Sequence, residues 1–305
     1  MDPQRALRVL ALLVMVAGCA GRPPLDSAAV PPGLPPTARV AAVPFHPQAE
    51  KACGPAALAM VLEWAGDAGR LDPAEVYTPG REGSMTADMV AAARRHGRLA
   101  VPVRRLEAVL AELAAGHPVL VFQNLGLDAY PVWHFAVAIG YDLPRDTVVL
   151  HSGTERELEL PLDTFVRTWE RGGRWAMVVT APDLLPATAA ERDALAAAAG
   201  LERARRTPEA VAAYESVLGR WPDSAAAAIG LANARHALGD PAGAEAALRR
   251  AVANRPELAA GWNNLAHVLL GQGRREEARR AARRAVTLDP DDDTYAATLA
   301  ETAGE

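Results

Sequence analysis

Prolines 222, 256 and 290 recur at an interval of 34 residues, and the pairs Leu231/Leu265, Gly239/Gly273, Ala244/Ala278 and Ala251/Ala285 keep the same interval. A period of this length means that one unit is repeated, and such units bury their apolar faces only by stacking on their neighbours. From Thr188 the composition turns to alanine, arginine and glutamate, all strong helix formers. Small residues at fixed positions let paired helices approach closely. The spacing divides the stretch into units 191–224, 225–258 and 259–292, with 293–305 left to form part of a capping helix. The first unit is degenerate. Arg205 stands where the others carry a loop glycine, and Ala210, Tyr214 and Pro222 identify it. Thr188-Ala189-Ala190-Glu191 ahead of it has the form of a capping box.

That period, with Trp262-Asn263-Asn264-Leu265-Ala266 and a proline closing each unit, resembles the tetratricopeptide repeat. The resemblance implies a helical solenoid whose concave side binds a peptide or protein. Asn233, His236, Asn263 and His267 are the polar residues expected to line it. The repeats hold no lysine, so the basic clamp that some members use for peptide carboxylates has no support here.

The other end of the chain reads as an address. After Arg5 and Arg8 comes the apolar run 9–17, well short of the roughly 20 residues that a membrane-spanning helix needs. It has the form of a signal-peptide core. Val16-Ala17-Gly18-Cys19 resembles the lipobox of bacterial lipoproteins, which implies cleavage before Cys19 and lipid on that cysteine. The resemblance, with Ala20 and Gly21 rather than aspartate after the cysteine, implies a cell-envelope lipoprotein on the periplasmic face of the outer membrane. Residues 22–38 hold six prolines and read as an extended tether. The chain divides into a signal (1–18), a lipidated tether (19–38), a first globular domain (39–182) and the repeats (188–305), and this division expects the first domain to fold without the last.

With 305 residues, 50% of them hydrophobic, the chain has material for about two domains. A formal charge of -5 argues against a general nucleic-acid binder, which carries a basic surplus. Lys51 is the only lysine, so lysine-based phosphate or Schiff-base chemistry has little to draw on.

Of two cysteines, one is assigned to lipid, and Cys53 is left without a partner in the chain. A free thiol in an oxidising compartment is a liability unless it is buried or used. Cys53-Gly54-Pro55 opens a run, 56–65, whose only charged member is Glu63. It reads as a helix apolar nearly all round, hence central and buried. Cys53 then sits at a helix N-terminus, where unpaired N–H groups and the helix dipole favour the nucleophilic thiolate. Further on, Trp133-His134-Phe135-Ala136-Val137-Ala138-Ile139-Gly140 alternates as a strand, with His134 on the face of the small Ala136 and Ala138. That leaves room beside the imidazole for it to face the thiol and act as general base and acid.

Gln48 with Cys53-Gly54-Pro55-Ala56-Ala57-Leu58, and then the strand opened by His134, resemble the papain-like cysteine peptidases that process bacteriocin leaders after a double glycine. The resemblance covers about 39–182 and implies an α+β fold with one central helix, further helices and a mostly antiparallel sheet. Helices are expected from Thr86 to about His96 and over 106–115, and strands at 118–124, 133–141, 147–152 and 175–180. By resemblance Cys53 is the nucleophile, His134 its base, and the Gln48 amide joins the Cys53 N–H in stabilising the oxyanion, with a glycine turn following the histidine strand. No cofactor or metal is implied, and His46, His96, His117, His236 and His267 show no metal-ligand spacing.

The family places an aspartate or asparagine at the end of the next strand to orient the histidine. Here that strand ends in His151-Ser152-Gly153. His151 or Ser152 is available to accept the Nδ1–H of His134, and Asn124 qualifies by chemistry alone. A neutral acceptor stabilises an imidazolium less than a carboxylate does. Three functions follow: a cell-envelope peptidase whose repeats recruit a protein substrate or partner, an inactive peptide-binding scaffold, or an amidase or acyltransferase using the same Cys–His pair.

Overall fold

The computed structural model describes residues 33–48, 52–67, 69–78, 80 and 83–304. The expected signal, the lipid-bearing Cys19 and the tether up to residue 32 lie outside them. Among the described residues no helix is long and apolar enough to cross a membrane.

Seven strands form one antiparallel sheet: β1 (Thr37–Arg39), β2 (Leu99–Val103), β3 (Val119–Asn124), β4 (Trp133–Asp142), β5 (Thr147–Ser152), β6 (Glu155–Pro161) and β7 (Ala176–Thr180). Their order is β2-β7-β3-β4-β5-β6, with β1 paired to β4. Four helices cover the sheet: α1 (Cys53–Trp64), α2 (Thr86–Arg95), α3 (Leu106–Ala114) and α4 (Leu162–Arg171). Strand side chains alternate between two cores. Leu120, Phe135, Val137 and Met177 pack with α1 and α2, whereas Val121, Ala136, Ala138 and Val178 pack with α3 and α4.

Helix α1 is the apolar central helix expected, with Leu58, Met60, Val61 and Leu62 buried. Glu63 is exposed and meets His46 Nε2 at 2.8 Å. Pro55 is the third helical residue rather than the first, a position where an N–H would also lack an intrahelical partner. At the other end of the helix the Trp64 ring lies 6.0 Å from His117, just ahead of β3. So α1 runs from the start of β4 towards its far end.

Three expectations change. Gly140 is not a turn. It lies within β4, where β1 passes so closely that a Cβ would stand 2.5 Å from the Ala38 carbonyl. The tether ends earlier than residue 38, because the Pro36 carbonyl accepts Leu143 N–H at 2.9 Å, the Pro35 carbonyl accepts the Tyr141 hydroxyl at 3.1 Å, and β1 begins at Thr37. Proline lacks a donor but keeps its acceptor. Thr188 forms no capping box, since α5 (Glu191–Arg203) has Ala190 as its N-cap.

The repeats follow the expected units: α5 and α6 (Thr207–Arg220), α7 (Ala225–Ala237) and α8 (Pro241–Asn254), then α9 (Ala259–Gly271) and α10 (Arg275–Leu288), closed by α11 (Asp293–Ala303). In the loop within each pair Gly239 and Gly273 have φ of +76° and +75°, and Arg205 takes the same left-handed conformation at +59°. Of the expected concave residues, Asn233 and His236 are exposed, Asn263 is buried, and His267 Nε2 meets Thr298 Oγ1 of α11 at 3.0 Å.

The two regions share a joint. Glu112 of α3 is fully buried and accepts His117 Nδ1 and both Thr188 N–H and Thr188 Oγ1–H, each at 2.6 Å, and Ala187 N–H at 3.1 Å. Burial alone would raise its pKa, but these donors outweigh it and hold the carboxyl below its ordinary value. Beside it, Leu99 and Val101 of β2 share one core with Ala194, Ala197 and Leu201 of α5.

Two stability predictions follow from the loops and the joint. Removing 188–305 uncovers Leu99 and Val101, each worth about 1.5–3 kcal/mol of burial, and strips Glu112 of the two Thr188 donors. Against the expectation of an independent first domain, the truncated chain should melt well below the parent or aggregate, and an unchanged melting temperature would show that the joint contributes nothing. Conversely, Arg205→Gly should stabilise the chain by about 1 kcal/mol in urea unfolding, because glycine takes the left-handed conformation without the side-chain penalty.

Candidate active site

Gln48, His134 and Ser152 gather where β4 begins. Gln48 is buried and pinned from three directions. Its backbone N–H donates to the Gly153 carbonyl at 3.0 Å, its Oε1 accepts the Gly153 N–H at 3.2 Å, and its Nε2 donates to the Phe135 carbonyl at 3.5 Å. The Gly153 N–H fixes which end of the amide is oxygen. The NH₂ group therefore points at the start of β4, with one hydrogen on Phe135 and a second to spare.

His134 is half-buried, and its Nε2 lies 2.9 Å from Ser152 Oγ. Strand pairing explains the partner. Val137 is opposite His151, so His151 shares the face of Val137 and α1, while Ser152 shares the face of Ala136 and His134. His151 is thereby removed as an orienting residue. Its ring packs on Phe45 at 5.2 Å, its Nδ1 accepts the Glu157 N–H at 3.2 Å, and its Nε2 faces the Val43 carbonyl at 3.4 Å. The nitrogen facing Ser152 is Nε2 and not the expected Nδ1, which among the described residues has no hydrogen-bond partner. In the tautomer that donates Nε2–H to the hydroxyl, Nδ1 presents a lone pair. Burial lowers the pKa of His134 below the ordinary imidazole value, so at pH 7 it is the neutral form that stands there.

Cys53 is the first residue of α1, half-buried and unpaired by disulfide, and it packs on the core that contains Phe135 and Val137. Helix α1 lies on the Phe135 face of β4, whereas alternation sets His134 with Ala136 and Ala138. Thiol and imidazole can therefore meet only round the end of the sheet, where α1 and β4 both begin. The hydrogen bonds among the described residues link Gln48 to the strand ends and His134 to Ser152, and do not include the thiol. A Cβ at Gly54 would collide with Ser84, whose buried hydroxyl has no hydrogen-bond partner among the described residues, so glycine is needed beside the cysteine to let that segment pack. Nothing in the sequence pattern pointed to Ser84 or to Gly153.

Asn124 has a different task from the one weighed for it. Its side chain accepts Gly126 N–H at 3.0 Å and Val132 N–H at 2.9 Å, closing the hairpin between β3 and β4. Its neighbour Gln123, opposite His134, donates instead to Thr168 of α4 at 2.6 Å.

Two family models match separate parts of the chain. Residues 40–177 match the Peptidase_C39 like family, and 201–263 and 236–301 match the tetratricopeptide repeat. No curated protein matches the chain. Similar solved structures each cover 37% of it. They include the first TPR of Spaghetti (RPAP3) bound to an HSP90 peptide, at 18% identity, TM-score 0.36 and 90% of that chain. The Sgt2 TPR domain from Aspergillus fumigatus is 16% identical, with a TM-score of 0.36 over 77% of its chain. MamA is 18% identical, with a TM-score of 0.35 over 67% of its chain.

The contact between His134 and Ser152 generates a pH prediction. Ser152→Asp puts a carboxylate where the hydroxyl stands, which should raise the midpoint of His134 by about one to three pH units, read by NMR titration of the imidazole. The imidazolium then persists to higher pH. An unmoved titration would show that position 152 does not govern the imidazole.

Proposed function

We propose that this chain, a Peptidase_C39-like domain followed by tetratricopeptide repeats, is a lipid-anchored cell-envelope cysteine peptidase. The observation that carries the reading is the meeting of Gln48, His134 and Ser152 at the end of the sheet where Cys53 opens α1. In the proposed reaction the neutral His134 takes the thiol proton at Nδ1, and the Cys53 sulfur bonds to the scissile carbonyl carbon. Charge that develops on the carbonyl oxygen is met by the spare Gln48 amide hydrogen and the Cys53 N–H. Collapse breaks the C–N bond, and His134 returns its proton to the leaving amine. Water, deprotonated by His134, then releases the acyl group from the thioester and restores the thiol.

The repeats recruit a protein substrate or partner in this proposal, and Cys19 carries the lipid. Leader processing at a double glycine is not part of this proposal. One observation favours a second reading, a peptidase-like scaffold that grips a peptide without cutting it. Ser152 offers a hydroxyl where the resembling family has an aspartate or asparagine, and a hydroxyl gives an imidazolium no charge to pair with.

The deciding measurement compares protein termini in the cell envelope of a strain carrying Cys53→Ala with those of its parent. Under the peptidase reading a set of cleaved termini disappears in the variant, and native Cys53 reacts with iodoacetamide near neutral pH. Identical termini, with a thiol that alkylates only after denaturation, would leave the scaffold.

A further inference from the structure

We infer that the hairpin between β3 and β4 is an apolar subsite that selects large apolar side chains on the leaving-group side of an extended peptide substrate. The inference rests on the Cys53–His134 reading above. Nine large apolar side chains are exposed among the described residues, and five of them, Leu125, Leu127, Tyr130, Val132 and Trp133, lie in the nine positions that lead into His134. Leu127 is 70% exposed and Tyr130 79%. Large apolar groups held in water and clustered in one hairpin mark a binding surface.

The hairpin cannot fold these groups back upon itself. Buried Asn124 holds both of its arms through Gly126 and Val132, and its Nδ2 reaches the Leu127 carbonyl at 3.5 Å. Backbone bonds from Leu125 N–H to the Val132 carbonyl, at 2.8 Å, and from Tyr130 N–H to the Leu127 carbonyl, at 3.1 Å, complete the frame. At its base Trp133 stacks on Phe122 with ring centres 5.3 Å apart. The surface is preformed, so a ligand does not spend binding energy on ordering it.

The chemistry of the site chooses the side. The imidazole hands its proton to the leaving amine, so the residue that follows the scissile bond passes over His134, and the hairpin is the segment that delivers His134. A membrane is the other surface that takes exposed apolar loops, and two observations stand against it. Asp128 is the only charged residue in 125–133, whereas interfacial segments are rich in Lys and Arg. The chain upstream of Gly33 enters by β1 at the Asp142 end of β4, about 30 Å of strand away from Trp133.

The test uses the full chain with Cys53→Ala, which binds without cutting, and fluorescein-labelled Gly-Ser decapeptides carrying two adjacent leucines or two further serines. Fluorescence anisotropy should show at least about tenfold tighter binding of the leucine peptide, and Leu127→Ser with Tyr130→Ser should erase that difference. With the active chain, the products of the leucine peptide should begin with leucine at their new N-termini. Equal binding of the two peptides, a preference that survives the double substitution, or products that begin with serine or glycine would overturn the inference. So would a double variant that loses only self-association or only binding to phosphatidylglycerol vesicles. Hairpin-dependent binding with no cleavage by the active chain leaves the apolar subsite standing and removes the peptidase reading instead.

Discussion

The antiparallel register between β4 and β5 decides what stands beside His134, and the chemistry proposed for this domain depends on it. A shift of one residue would exchange every side chain between the two faces and bring His151 to the imidazole in place of Ser152. In the register adopted, the partner is a hydroxyl and the surroundings are dry enough to hold His134 neutral. A neutral imidazole can accept a proton but holds no thiolate beside it in advance. Proton transfer and attack are then coupled in the proposed mechanism, rather than starting from a preformed ion pair. The burden of charge stabilisation moves to the oxyanion side, where Gln48 is the best-fixed group of the site, with its amide locked by both ends of the adjoining strands.

A second constraint joins the domain to the repeats. A fully buried carboxylate is tolerated only when its lone pairs are filled, and Glu112 fills them with His117 and with the segment that leads into α5. The linker is therefore a set of donors to a buried acceptor rather than a passive spacer. Because α5 also completes the core on β2, which would otherwise be an open edge of the sheet, repeats and domain share apolar packing as well as hydrogen bonds.

Much of this was legible in the sequence because its causes are periodic. The 34-residue interval located each repeat helix pair, and the all-round apolar run located α1, since both patterns are direct consequences of burial. The strand of His134 was legible for the same reason. What escaped was structure whose cause lies elsewhere in the chain. Strand β6, Glu-Arg-Glu-Leu-Glu-Leu-Pro, is an exposed edge whose charges hide its pairing, and β2 carries Pro102 at the opposite edge. Helix α4 does carry a sequence signal, an apolar face in Leu162, Phe165 and Trp169 at helical spacing. At the candidate site, Cys53, His134 and Gln48 were singled out by motif. The choice of Ser152 over His151 needed the register, and the use of Asn124 in the hairpin needed the loop it closes.

The placement of the parts along β4 gives the proposed functions a common geometry. Its far end receives the N-terminal chain through β1, and its near end carries Gln48, His134 and the apolar hairpin. The repeats join at the β2 edge through a packed interface, so their binding surface is held at a fixed offset from the near end rather than on a swinging tether. Recruitment by such a rigid joint raises the local concentration of a cleavable segment only when that segment spans the fixed offset, and does nothing for a shorter one. In the proposed enzyme, selectivity thus arises at two separated points, the repeats and the hairpin. The distance between them acts as a third criterion that neither surface could impose alone.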